Sequence, residues 1–229
     1  MKSLKTRICI IGGGPAGATA SLFLSRFGIP HVLVERETFP RDKVCGESFD
    51  GRVYRILNEL SPGFVNELTA AGLLLKTWNY RFQSTHIDLP VSFPKSGLPR
   101  ISAARAQFDQ ALFSQLEHSP FLTLMTGQAV RKVEPQAGFC LVETQHHRIE
   151  AELVLNAVGS RPVAGTEPAL HLFNRLYLQG IAPDGEKGLE VYYFRHPLPG
   201  CLFMCPLSQD RYNVQVAVQK RQFQKSGLK

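Results

Sequence analysis

The sequence predicts an α/β fold, with a parallel sheet at its N-terminal end and a second, sheet-based portion toward its C-terminus. Three observations carry this. Residues 7–17, Arg-Ile-Cys-Ile-Ile-Gly-Gly-Gly-Pro-Ala-Gly, read as a buried strand feeding a glycine loop that opens a helix. A second apolar strand, His31-Val32-Leu33-Val34, follows and ends on an acid, Glu35. From about residue 174 onward the pattern is a succession of strand-like runs, which points to a separate sheet layer.

The glycine loop justifies the first β–α–β unit. Gly12, Gly14 and Gly17 stand at the G-x-G-x-x-G spacing of a dinucleotide-binding turn. Gly12 permits the tight turn out of the strand. Gly14 lets backbone approach a pyrophosphate, and Gly17 lets the helix pack closely on the sheet. The helix N-terminus, with Pro15 and Ala16 in its first turn, offers free N–H groups to phosphate. Glu35 follows at about the 20-residue spacing of a ribose-binding carboxylate. The helix is expected over 15–27, ending at Gly28-Ile29-Pro30. The whole reads as a Rossmann half-site.

Further elements follow in order. Residues 36–47 are polar and irregular. Helices are expected over about 48–60 and 63–71, the latter stopped by Gly72. Leu75–Phe82 and Ile87–Phe93 alternate as strands, with Trp78, Tyr80, Phe82 and Phe93 as expected core aromatics, and Pro90, Pro94 and Pro99 punctuate the exit. An amphipathic helix is predicted over 102–117, from Ala104, Phe108, Ala111, Leu112, Gln115 and Leu116. Strands are expected at about 121–125, 128–134, 138–144 and 149–157, then at 174–182, 188–194, 200–207 and 211–218. These boundaries give an expected domain division of 1–74 with 100–170, and 75–99 with 171–229.

Composition narrows the function classes. The chain has 229 residues, 44% of them hydrophobic and 20% charged, which is ordinary for a globular protein with a substantial core. No apolar run approaches the roughly 20 residues of a transmembrane helix, and the first apolar stretch reads as a strand rather than a signal sequence. A cytoplasmic protein, peripheral at most to a membrane, is expected. The formal charge of +7 is concentrated at the C-terminal end, where Arg211, Lys220, Arg221, Lys225 and Lys229 meet no acid. That distribution, without a basic stripe interleaved with aromatics, argues against a nucleic-acid interface. A basic interaction domain without a cofactor is the blandest alternative. The 5 cysteines are scattered; Cys201 and Cys205 have no second pair to complete a zinc site. Cys9 and Cys140 are expected as buried thiols. The His146-His147 pair falls in an expected hairpin without a third metal ligand.

The segment from Glu35 to Ser48, Glu-Arg-Glu-Thr-Phe-Pro-Arg-Asp-Lys-Val-Cys-Gly-Glu-Ser, is sharper than a generic dinucleotide turn. With Gly12-Gly-Gly-Pro-Ala-Gly17 it resembles the geranylgeranyl reductase branch of the FAD-dependent oxidoreductases, which are built like para-hydroxybenzoate hydroxylase. Arg105-Ala-Gln-Phe-Asp-Gln-Ala-Leu resembles that family's Arg-x-x-Phe-Asp-x-x-Leu helix start. Leu202-Phe-Met-Cys-Pro-Leu and the following Asn213-Val214 resemble a strand pair of its substrate-side sheet.

The resemblance implies a Rossmann-type FAD-binding domain with a partial β-sheet substrate domain. It implies FAD as cofactor and NAD(P)H as electron donor. The substrate is a small molecule, isoprenoid or otherwise unsaturated, or aromatic, in a reductase or monooxygenase reaction. As implied FAD contacts it carries over Gly12, Gly14, Pro15, Ala16 and Gly17 at the pyrophosphate; Glu35 at the ribose; Arg36 and Val130 at the adenine; Lys43, with Arg41, offsetting phosphate charge; Cys45 and Gly46 toward the isoalloxazine; Arg105 at phosphate or flavin; and Gly159 as a close-approach glycine. It assigns no acid–base residue, because the flavin carries the chemistry.

Two departures matter. Val158 stands where many relatives carry aspartate, which favours the reductase and halogenase side. None of the 19 glycines is followed by aspartate, so the family's later Gly-Asp motif is missing. An open sheet edge and an exposed apolar patch are expected from that loss, with a complementing C-terminal chain as a possible partner. A non-catalytic nucleotide-binding module or split-protein subunit is one alternative. A flavin-dependent halogenase is another, disfavoured because Trp78 is the single tryptophan and the Trp-x-Trp-x-Ile-Pro motif is absent.

Overall fold

The computed structural model describes residues 1–45, 47–159, 171–181, 187–208 and 210–227. In chain order the elements are β1 (Lys2–Ile11), α1 (Pro15–Arg26), β2 (His31–Val34), β3 (Ser48–Phe49), α2 (Gly51–Leu60), α3 (Phe64–Ala70), β4 (Leu75–Thr77), β5 (Asn79–Gln83), β6 (Asp88–Ser92) and β7 (Arg100–Ser102). They continue with α4 (Arg105–Ser114), β8 (Leu122–Met125), β9 (Lys132–Gln136), β10 (Phe139–Glu143), β11 (His147–Asn156), β12 (His171–Gln179), β13 (Gly188–Phe194), β14 (Gly200–Pro206), β15 (Arg211–Gln219) and α5 (Lys220–Ser226). The chain packs as two compact units, one of Met1–Arg41 with Asp109–Pro168 and one of Asp42–Phe108 with Ala169–Lys229.

The first unit is the expected α/β layer. Its six-stranded sheet runs β8-β2-β1-β11-β10-β9. β1 pairs in parallel with β2 and β11, and β2 in parallel with β8. β9 and β10 extend it as an antiparallel hairpin. Strands covered on both faces read as continuous apolar runs, and Cys9, Ile10, Val32, Leu33 and Val34 are accordingly buried. Pro15 opens α1 at a position where its missing N–H costs nothing. Phe39 stacks on Phe113, ring centroids 4.0 Å apart, fixing the segment after β2 against α4.

A buried histidine couples α1 to β2. His31 Nε2 and Ser21 Oγ lie 2.7 Å apart, and Nδ1 faces the Ile29 carbonyl at 2.8 Å. The neutral ring satisfies both contacts, donating from Nδ1 and accepting from Ser21. Burial holds its pKa below the ordinary 6.5, against a smaller opposing effect of the Ile29 carbonyl. The unfolded chain therefore binds this proton more readily than the folded one, and stability falls as pH drops through 6.5. Thermal unfolding followed from pH 8 to pH 5 should show a loss of stability below the ordinary histidine range that is shallower in His31→Gln. An identical acid limb in both proteins would contradict it.

The second unit holds a three-stranded sheet, β3-β7-β4, and a six-stranded sheet, β12-β15-β14-β13-β5-β6. The larger sheet is antiparallel except for the parallel β5–β13 pair. Asp50 caps α2, its carboxylate accepting from the Arg52 N–H at 2.8 Å. α3 ends at Ala70, before Gly72, as expected.

Several expectations are corrected here. Residues 48–49 form a strand rather than the start of a helix, and Ser102, the expected first residue of the next helix, ends β7 instead, because 48–49 and 101–102 pair with each other in the small sheet and α4 begins only at Arg105. The run 75–82 is not one strand. The chain changes sheets at Trp78, with β4 in one sheet and β5 in the other. Pro90 sits inside β6, an edge strand that tolerates a residue without an N–H. α5 was not expected at all. The aromatics assigned to the core are only partly covered: Tyr80 stacks on Phe82 and meets Phe93 edge-on, yet Phe93 is 49% exposed. Cys9 is buried, whereas Cys140 is half-buried on β10. All 5 cysteines are free.

Candidate functional site

The glycine loop sits between β1 and α1 of the first unit. Gly12 has φ +103°, and a Cβ there would meet the Ala157 carbonyl oxygen at 2.6 Å. A Cβ on Gly17 would fall 1.8 Å from the Gly12 carbonyl oxygen. Both positions therefore admit only glycine, Gly12 for conformation and contact, Gly17 for contact alone. Gly14 is the N-cap of α1 and has no side chain to satisfy the first-turn N–H groups. These orphan donors give the helix start its affinity for anions.

A cation stands beside them. Arg41 Nη2 is 3.1 Å from where a Gly14 Cβ would be. The guanidinium lies 5.0 Å over the Phe39 ring, with Nη2 3.5 Å from Asp109. Its Nε is buried with no hydrogen-bond partner among the described residues. A helix start without a cap, next to an arginine with an unused buried donor, suits a diphosphate. Glu35 closes the other side. It is buried, and its carboxylate accepts from the Gly13 and Glu37 backbone N–H groups. Each oxygen keeps a lone pair for a ribose hydroxyl.

The remaining first-unit candidates are placed as follows. Pro15 and Ala16 form the first turn of α1. Gly159 lies just past β11 with φ +77°. Val158 packs with Val130 against the core group that includes Ile11 and Val34. Val130 itself precedes β9 rather than lying in it, since pairing begins only at Lys132. Arg36 turns outward to Glu37 at 3.0 Å and makes a surface pair worth little.

In the second unit three further candidates gather around a residue the sequence reading quoted but did not select. Glu47 is 0% exposed and has φ +56°. Its Oε1 accepts from the Arg105 backbone N–H at 2.8 Å and from Tyr177 Oη at 2.8 Å. Its Oε2 accepts from Asn213 Nδ2 at 2.9 Å. Arg175 Nη1 stands 3.7 Å away. Asn213 also donates to the Cys45 carbonyl at 2.8 Å, and Arg175 to the Lys43 carbonyl at 3.0 Å. The segment 42–47 is thus tied to β12 and β15 at several points. Burial, then the bond to Glu47, pushes the Tyr177 hydroxyl up to about 12, so it donates at any physiological pH. The Arg175 hydrogen bond holds the Asp42 carboxyl below its usual range. Asn213 was visible in the sequence as the Asn-Val of the strand-pair resemblance. Arg175 and Tyr177 carried no such signal. Gly46 lies outside the described residues.

Among the described residues no cluster of His, Cys, Asp or Glu could hold a metal ion, and no helix is long and apolar enough to cross a membrane. Thr144, Gln128 and His147 instead form a hydrogen-bonded turn, with His147 Nδ1 2.8 Å from Gln128 Oε1.

Known proteins agree with this fold. The chain is 28% identical over 232 residues to menaquinone reductase of Mycolicibacterium smegmatis, an alignment covering 91% of this chain and 54% of that one. It is 24% identical over 235 residues to protoasukamycin 4-monooxygenase of Streptomyces nodosus subsp. asukaensis, covering 90% of this chain and 55% of that one. The myxobacterial chondrochloren halogenase CndH superposes with a TM-score of 0.78 at 20% identity, covering 98% of this chain and 55% of that chain. The chain thus spans about half the length of these relatives. Residues 5–226, which include the glycine loop, Arg41 and the Glu47 network, match the FAD binding domain, and the chain belongs to that family, the family of FAD-dependent monooxygenases and halogenases.

Proposed function

We propose that this chain supplies the FAD-binding part of an oxidoreductase that acts on a small unsaturated molecule, isoprenoid or aromatic, as a reductase or a monooxygenase. The observation that carries the reading is the anion seat at the start of α1: an uncapped helix N-terminus at Gly14 beside Arg41, whose buried Nε is unpaired among the described residues. A pyrophosphate satisfies both at once. Gly12, Pro15, Ala16 and Gly17 shape that seat. Glu35 accepts the ribose hydroxyls, and as a carboxylate it disfavours a 2′-phosphate there. Arg36 and Val130 flank the adenine, and Gly159 gives close backbone approach. Lys43, Cys45, Gly46 and Arg105 serve the flavin end, with Glu47 holding their segment. Bound FAD supplies the two-electron chemistry, reduced by NAD(P)H and then acting on a carbon–carbon double bond or on oxygen. The protein orients the reactants and excludes water. Relatives named as a menaquinone reductase and as a monooxygenase support both reaction types, and the geranylgeranyl reductase resemblance favours the isoprenoid.

The test is visible absorbance of the purified chain after FAD is added and the excess removed. Flavin bands at about 370 and 450 nm are expected, and Gly14→Asp should abolish them, because its carboxylate engages Arg41 and occupies the phosphate seat. NADH or NADPH should then bleach the bands. Flavin that binds but never bleaches would point to a non-catalytic module, and a colourless wild-type protein would overturn the assignment.

A further inference from the structure

In the larger sheet of the second unit, β12, β15, β14 and β13 pair in a register that puts Leu172, Val218, Gly200 and Phe194 in one row. Side chains alternate along a strand. Leu176, Val216 and Val218 therefore stand on the face opposite Arg175, Tyr177 and Asn213, the residues tied to segment 42–47. A cavity of about 610 Å³ lies on that opposite face. Leu176, Val216 and Val218 line it from the strands, Phe223 from α5, and Phe194 and Leu198 from the end of β13 and the connection to β14. A Cβ on Gly200 would meet the Phe194 ring at 2.8 Å, so the ring packs where a side chain would otherwise stand. The volume falls in the range of roughly 300–1,000 Å³ typical of small-molecule sites. Asn174 is the one polar residue of the lining.

One end of this cavity is cationic. Arg195 follows Phe194, and Lys220 and Arg221 follow β15, so all three leave the sheet at the same end, just beyond the row of Leu172 and Phe194. Lys225 lies further along α5, past Phe223. Among the described residues none of these four makes an ion pair or a side-chain hydrogen bond. Asp210 is the only acid between Val191 and Lys229, and it precedes the opposite end of β15. Glu190 stands further in on β13, where its carboxylate accepts from Tyr192 Oη at 2.6 Å. An apolar recess with unpaired charge of one sign at one end is complementary to an amphiphile with an anionic head.

We propose that this cavity binds one long-chain aliphatic carboxylate, a free fatty acid by its chemistry. The alkyl chain lies over Val216 and Leu176, and the carboxylate meets Arg195, Lys220 and Arg221. The concave shape selects a single chain over a bilayer, which is met by an apolar face laid in its plane. The cations select the head. The bound chain covers part of β12, where Leu176 is 48% exposed. Because it lies on the face turned away from Tyr177 and Asn213, it is an effector held by the second unit and not the molecule on which flavin chemistry acts. Its binding is independent of the flavin assignment.

The test titrates the full chain with decanoate, hexanoate and decyltrimethylammonium, each below its micelle concentration, and reads affinity by saturation-transfer NMR. Each buried methylene is worth roughly four-fold in affinity, so decanoate should bind at least about ten-fold more tightly than hexanoate. Decyltrimethylammonium, with a comparable chain and the opposite charge, should bind at least about ten-fold more weakly than decanoate. The double variant Lys220→Gln, Arg221→Gln should lose most of that preference between heads while keeping the dependence on chain length. Leu198→Glu, in a loop, and Leu176→Glu, at a half-exposed position, each put a carboxylate into the recess and should abolish decanoate binding. Circular dichroism on the same samples identifies the folded variants. Equal affinity for decanoate and hexanoate, equal affinity for the two charged heads, or full decanoate affinity in a folded Leu198→Glu or Leu176→Glu protein would overturn the proposal. So would sedimentation with phosphatidylglycerol vesicles by a chain that binds no monomeric decanoate, which would make this face a membrane contact instead.

Discussion

Gly17→Ala is expected to abolish flavin retention and to lower the thermal midpoint by roughly 6–12 °C, from about 3 kcal/mol of overpacking. The added methyl would fall 1.8 Å from the Gly12 carbonyl oxygen and 3.2 Å from Ile10 Cγ2. Backbone on one side and a buried strand residue on the other cannot yield. The helix must tilt away from β1, and with it go the N–H groups of its first turn. Gly14→Ala is the informative control. Its methyl meets only the far end of Arg41, at 3.1 Å, and a long side chain can move. That variant should stay within about 1 kcal/mol of wild type, since surface-like changes cost little, while binding FAD more weakly. Scanning calorimetry and flavin absorbance on the two variants separate the roles. Equal stability of Gly17→Ala and wild type would refute the packing argument.

Glu47→Ala is expected to cost about 3–5 kcal/mol, the range for removing one partner of a buried charged network. It strands the Arg105 N–H and Tyr177 Oη, removes one of the two bonds of Asn213 Nδ2, and leaves Arg175 facing a void. It also leaves a residue with φ +56° without the bonds that hold it there. Glu47→Gln should cost less, about 1–3 kcal/mol. One of its two polar ends must present an NH2 group to a donor, but Asn213 can answer by turning its amide. Its Oδ1 has no partner among the described residues, so it can accept, at the expense of the Nδ2 bond to the Cys45 carbonyl. Urea titrations should therefore rank wild type above Gln above Ala. Flavin retention should follow the same order if segment 42–47 is what Glu47 positions. A Gln variant no better than Ala would mean that charge, and not hydrogen bonding, holds the network.

The glycine loop, the strand before it, the helix after it and Glu35 at the end of β2 were all legible in the amino-acid sequence. Each depends on local rules: a buried strand, a missing Cβ, a proline at a helix start and an acid at fixed spacing. The FAD family was legible for the same reason, since its motifs are contiguous. What the sequence could not give was the partner of each polar group. Residues 48–49 and 100–102 look helical or irregular on their own and become strands only because they find each other in space. Trp78 marks no break in periodicity, yet the chain leaves one sheet for another there. Glu47 is one acid among many until Tyr177 and Asn213 arrive from β12 and β15, more than a hundred residues away along the chain. Arg41 reads equally as a cation for the phosphates and as a solvated loop residue until the packing of Phe39 on Phe113 anchors the segment that places it at the helix start. Short-range sterics and solvation therefore decided the half-site, and long-range pairing of buried polar groups, which no local pattern records, decided what surrounds it.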